Sequence, residues 1–178
     1  MGSVLMNYTK AIIKSMNLLA KDKSSIFIGQ SVAYPGNLLF KTLNQIDNDK
    51  KLEVPVFEET QMGMAIGLSL NGYLPICCFP RFDFMVLAFN QIINHLDKIP
   101  LISNSLFIPK VIIRVSVGSK YPLDGGEQHT QDYSDQLSKM LKTINLYKLK
   151  GSSSVLDSYK KAIKSKYSSI LVEYADLM

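Results

Sequence analysis

Signatures that announce several common chemistries are missing from this 178-residue sequence. It has no P-loop, no G-x-G-x-x-G after its first strand-like run, no H-E-x-x-H and no G-x-S-x-G. These absences argue against nucleotide hydrolysis, dinucleotide redox chemistry, zinc hydrolysis and a serine-hydrolase elbow. The two cysteines, Cys77 and Cys78, are adjacent inside an apolar run, poorly placed to bridge and matching no zinc spacing. They read as buried thiols of a reducing compartment. The start shows no basic-then-apolar leader, and Met6 stands where an acylation site requires Ser or Thr, so Met1-Gly2-Ser3 reads as an expression remnant. The expected location is cytoplasmic. No internal repeat or low-complexity segment is present.

What is there describes one globular domain. A hydrophobic content of 47% against 20% charged residues excludes the composition of disorder. A chain of this length buries roughly two-thirds of its unfolded surface. The net charge of +5 lies entirely in the last forty residues, because residues 1–138 hold 12 basic and 12 acidic side chains. Lys139, Lys142, Lys160, Lys161, Lys164 and Lys166 fall in helix-like segments without interleaved aromatics or an arginine cluster. That pattern reads as a solvated face rather than a nucleic-acid surface. The uncharged stretch Thr60 to Pro80 is long enough for a bilayer, but its glycines, Asn71-Gly72 and Pro75 divide it into a helix, a turn and a buried strand.

Periodicity predicts an alternating chain. Helices are expected over 6–22, 37–47, 58–70, 83–98, 133–142 and 154–166, the last with Ser154 as N-cap. Strands are expected over 24–29, 54–57, 74–80, 111–117, 145–150 and 169–174, with Pro55 marking an edge or strand end. Gly63, Ala65, Gly67 and Ser69 permit close backbone approach along the 58–70 helix, and its two glycines suggest tight packing on something. The apolar 83–98 helix reads as buried and at a subunit contact. The fold class is therefore α/β, a single three-layer domain with a mostly parallel central sheet and helices on both faces. Such sheets bind ligands beyond the carboxyl ends of their strands. The loops that qualify are 30–36, 57–60, 80–83 and the long 118–131 segment. The acidic pair Glu58-Glu59 opens a helix whose dipole favours a charged carboxylate and is the candidate centre, with position alone leaving either residue open.

These residues resemble a known family. The ordered set Phe27-Ile28-Gly29, Pro55-Val56-Phe57-Glu58, Gly63-Met64-Ala65-Ile66-Gly67, Phe82-Asp83-Phe84, Gln91-Ile92-Ile93-Asn94-His95 and Gly125 to Gln131 carries the likeness. It is similar to the pyrimidine-binding domain of transketolase-like thiamine-diphosphate enzymes, nearest the beta subunits of pyruvate-dehydrogenase-like 2-oxo acid dehydrogenases. The resemblance implies that Glu58 hydrogen-bonds a ring nitrogen of the cofactor's aminopyrimidine and favours its imino tautomer. The beta-subunit register selects Glu58; the transketolase register would select Glu59. By the same likeness Phe84 lies against the pyrimidine, the Val56 backbone meets it, His129 faces the substrate, and His95 is structural.

The chain departs from the family at Gln30-Ser31, where two acidic residues are usual, at Leu87 and at Ser116. The Gly-Asp-Gly motif that binds diphosphate and Mg2+ is missing, and Asp124-Gly125-Gly126 does not replace it. The resemblance thus implies a single pyrimidine-binding domain over 1–178, with neither a diphosphate-binding nor a C-terminal transketolase domain, and no metal ligand of its own. The expected partner is a separate diphosphate-binding subunit that carries the Mg2+ and shares the thiamine diphosphate. The assembly would be a hetero-oligomer with homodimeric contacts, acting on a 2-oxo acid or ketose, with no nucleic acid and no membrane. The alternative is a non-catalytic assembly or regulatory module that kept the fold.

Overall fold

The computed structural model describes residues 7–178; Met6 and the start of the chain lie outside them. Six strands form one sheet: β1 (Ser25–Gly29), β2 (Lys51–Glu53), β3 (Leu74–Phe79), β4 (Ile112–Val117), β5 (Asn145–Lys148) and β6 (Ser169–Tyr174). Their order is β2-β1-β3-β4-β6-β5, and every neighbouring pair is parallel. The central strands β3 and β4 are buried along their whole length, which is why they read as continuous apolar runs.

Helices cover both faces. On one side lie α1 (Tyr8–Ala20), α2 (Leu38–Leu43) and α7 (Ser152–Lys164), packed on Phe27, Ile76, Ile112 and Leu171. On the other lie α3 (Glu58–Leu70), the segment from α4 (Phe82–Met85) to α5 (Ile99–Ile102), and α6 (Ser134–Met140). These meet Ile28, Cys77, Phe79, Ile113 and Val172. Successive strand residues alternate between the two cores, as the period of two requires. The lysines singled out in the sequence are all exposed. Cys77 and Cys78 are free and buried, and burial pushes the Cys78 thiol up to about 12. No helix among the described residues is long and apolar enough to cross a membrane.

Three expectations need correction. The strand expected over 54–57 lies earlier, at Lys51–Glu53; Val54 still donates to the Gly29 carbonyl (3.1 Å), and Pro55, with no N–H, ends the ladder. The single helix expected over 83–98 is instead α4, a 3-10 turn at Val86–Ala88 and a π-helix at Asn90–Leu96. Its buried residues Phe82, Met85, Ala88, Ile92 and Leu96 step first by three and then by four, so the winding tightens and then loosens to hold one stripe on the sheet. It is therefore buried on one side only, and Leu87 is 64% exposed. Ser154 does not cap α7: Gly151 occupies that position, and the Ser154 hydroxyl donates to its carbonyl (2.9 Å). Along α3, Ala65 is buried in the core and a side chain at Gly63 would touch Gln91, whereas one at Gly67 would meet nothing within 4 Å.

Candidate functional site

The chain runs from β1 to β2 on one side and then to β3 on the other, so the sheet reverses direction between β1 and β3. In open parallel sheets this reversal opens a crevice at the carboxyl ends. Two close approaches shape that edge. At Gly29, closing β1, a Cβ would sit 2.4 Å from the Cys78 carbonyl oxygen. At Gly118, just past β4, it would sit 1.9 Å from the carbonyl oxygen of His129, so the loop after β4 can fold back against the strand end only with glycine there.

Glu58 opens α3, and its side chain is buried at 5% exposure. The helix lies on β3, where Gln61 Nε2 donates to the Cys78 carbonyl oxygen (3.0 Å) and to Cys77 Sγ (3.3 Å). One turn before Gln61, Glu58 thereby stands over the carboxyl end of the central strands. No side chain caps the first turn of α3, so its free backbone N–H groups and the helix dipole favour negative charge there. Among the described residues the carboxylate takes one side-chain hydrogen bond, at Oε1 from Gln30 Nε2 (3.2 Å). Glu59 points elsewhere: it is exposed and accepts from Asn90 Nδ2 at 2.8 Å.

Phe84 and His129 come together. Their rings meet edge to face with centroids 5.5 Å apart, and both line a cavity of about 470 Å3 with Asp83, Glu127 and Tyr133. Asp83 Oδ2 in this cavity is buried without a hydrogen-bond partner among the described residues. Val56 and Glu58 do not line it. Val56 and Phe57 are 70% and 56% exposed, an apolar pair that this chain leaves uncovered. The loops after β2, β1, β3 and β4 follow one another along the edge at strand spacing, about 14 Å from first to last. The predicted residues therefore share one edge in two clusters, Glu58 with Gln30 and Phe84 with His129. His95 is exposed on the π-helix. Two other hollows, of about 290 Å3 beside Lys150 and Tyr174 and about 520 Å3 beside Lys41 and Arg81, contain none of the predicted residues.

Two neighbours escaped the sequence reading. Gln30 registered only as a missing acid, not as a donor to Glu58, and Asp83 registered only as part of a motif. The signal for Asp83 was its place between Phe82 and Phe84 at a strand's carboxyl end; nothing local marks Gln30, which lies 28 residues from its partner.

Residues 5–146 match the family described as transketolase, pyrimidine binding domain. The chain belongs to that family. It is 31% identical over 129 residues to a pyruvate dehydrogenase E1 component subunit beta of Cyanidium caldarium, covering 71% of this chain and 38% of that protein. It is 28% identical over 131 residues to a 2-oxoisovalerate dehydrogenase subunit beta of Bacillus subtilis strain 168, covering 71% and 39%. Its fold matches a chain of a split-gene transketolase in an inactive beta4 tetramer, with TM-score 0.67 at 18% identity over 95% of this chain and 51% of that one. The chain thus spans about two-fifths of these curated relatives. Membership implies a site for the pyrimidine of thiamine diphosphate, and the edge fits one: a buried carboxylate with an oxygen to spare, and an aromatic ring beside a half-open cavity.

Proposed function

We propose that this chain is the pyrimidine-binding part of a split thiamine-diphosphate enzyme that decarboxylates a 2-oxo acid or transfers the resulting acyl or ketol unit. The observation that carries the reading is the Glu58 carboxylate, buried at a helix N-terminus with Oε1 occupied and Oε2 without a side-chain partner among the described residues. Bound there, the cofactor supplies the carbon nucleophile that the protein itself lacks. Glu58 accepts a charge-assisted hydrogen bond from the pyrimidine, Phe84 gives the ring a flat apolar neighbour, and the Val56 backbone lies along its edge. His129, held by the loop folded on Gly118, moves protons on the substrate side.

In this reading a separate subunit completes the site with the diphosphate and Mg2+ contacts, for which the residues of this sequence hold no Gly-Asp-Gly motif. The exposed residues Met64, Leu87, Ile102, Leu106 and Phe107, with the open Gly67 face of α3, support subunit contacts on this side of the sheet. The 2-oxo acid dehydrogenase relatives favour a 2-oxo acid as substrate. The test is capture of the partner through a tag on this chain, then calorimetry with thiamine diphosphate and Mg2+. Cofactor binding that requires the partner supports the reading, and tight binding of the complete cofactor by this chain alone contradicts it.

A further inference from the structure

The residue after β1 faces Glu58, and both of its flanks are pinned. On one side Gly29 lies against the Cys78 carbonyl so closely that no side chain fits. On the other, the backbone N–H groups of Ser31, Val32 and Ala33 all donate to the Glu53 carboxylate, at 2.6, 2.9 and 2.8 Å. Ser31 holds a left-handed φ of 54°, a conformation that costs an L-residue energy and persists here because Glu53 anchors three successive amides. The backbone of Gln30 therefore has little freedom, and its side chain reaches Glu58 Oε1 at 3.2 Å.

We infer that Gln30 is a positioning residue for Glu58: its amide N–H holds Oε1, turns Oε2 outward as the acceptor for the cofactor's pyrimidine, and adds no charge. The inference rests on the proposed thiamine-diphosphate role of Glu58. A carboxylate with one oxygen tethered loses less freedom when the other oxygen binds its ligand. A neutral donor also avoids the conflict that an acid would create, since two carboxylates at this separation do not both ionise freely.

The test is calorimetric titration of thiamine diphosphate with Mg2+ into the complex of this chain with its partner, between pH 5 and pH 9. Gln30→Met keeps the length and removes the donor; it weakens cofactor affinity by roughly tenfold, the worth of one hydrogen bond to a charged group. Gln30→Glu moves the acidic limb of the binding profile upward by on the order of one pH unit, a shift that a purely structural residue would not produce. Thermal unfolding checks that each variant is folded, and Gln30→Met decides the question if Gln30→Glu is not. If both variants match the parent at every pH while Glu58→Ala abolishes binding, the Gln30 role is wrong and the function of Glu58 stands. If Glu58→Ala binds like the parent, the reading of the site fails and the inference fails with it.

Discussion

Glu173 and Glu58 are both buried glutamates, at 1% and 5% exposure, on opposite faces of the same sheet. Glu173, on β6, accepts from Arg114 Nε (2.7 Å), Arg114 Nη2 (2.9 Å) and Tyr159 Oη (2.6 Å), and Arg114 Nη2 also donates to Thr42 (2.7 Å). Burial and the Glu173 carboxylate push the Tyr159 phenol well above its ordinary range, so it remains a donor. Burial opposes the Arg114 charge, but Glu173 and Tyr159 hold the guanidinium firmly protonated. Among the described residues Glu58 has one neutral donor and no cation. The contrast separates two uses of a buried charge. Where both carboxylate oxygens are bonded within the chain, the charge ties β4, β6, α2 and α7 together; where one oxygen is left open at the carboxyl edge, the charge is free to take a further partner.

The largest effect expected from breaking this contrast is on stability. Arg114→Met leaves Glu173 charged and buried with only Tyr159, and costs about 3–5 kcal/mol. Thermal unfolding should register this as a fall in Tm on the order of 10 °C for a chain of this size. An unchanged Tm would mean that the network contributes no net stability.

Asp97 sharpens the comparison from a third position. It follows the π-helix, is fully buried, and receives the backbone N–H groups of Lys142, Thr143 and Ile144, fastening the segment that leads into β5 to the end of that helix. Burial works to raise its carboxyl, but Lys98 and these backbone donors outweigh burial and hold it below the usual aspartate value. Because the folded value is depressed, the stability from this group is present above the unfolded value, about 3.9. It is lost as the pH falls through the lower folded value. Asp97→Asn should lower stability by about 2 kcal/mol at pH 7 and reduce the fall in stability below pH 4. Denaturant titrations at both pH values read this directly, and parallel losses in parent and variant would contradict it.

The same division explains what could be read in advance. The last strand was legible to the residue, Ser169–Tyr174, and β1, β3 and β4 nearly so, because their apolar runs are set by burial on both faces. The segment after Phe82 was not, since its winding follows the spacing of contacts on the sheet rather than helix propensity. The cap on α7 was missed because Gly151 and Ser154 compete locally, and only the backbone decides between them. At the candidate site, Phe84 and His129 could be listed from their motifs, but their meeting depends on the fold-back at Gly118. The Glu53 nest and the Gln30–Glu58 bond join residues 20 or more positions apart, beyond the reach of any local pattern.

The central claim is that Glu58, rather than its neighbour, is the group that serves the cofactor. The most direct measurement is 2-oxo acid turnover by the complex with thiamine diphosphate and Mg2+, comparing Glu58→Ala with Glu59→Ala. Exposed Glu59, bonded to Asn90, should be dispensable, with activity within about twofold of the parent. Glu58→Ala should lose on the order of a hundredfold or more, as expected for removal of a preorganised electrostatic contact. Turnover that survives Glu58→Ala and is lost in Glu59→Ala would contradict the account.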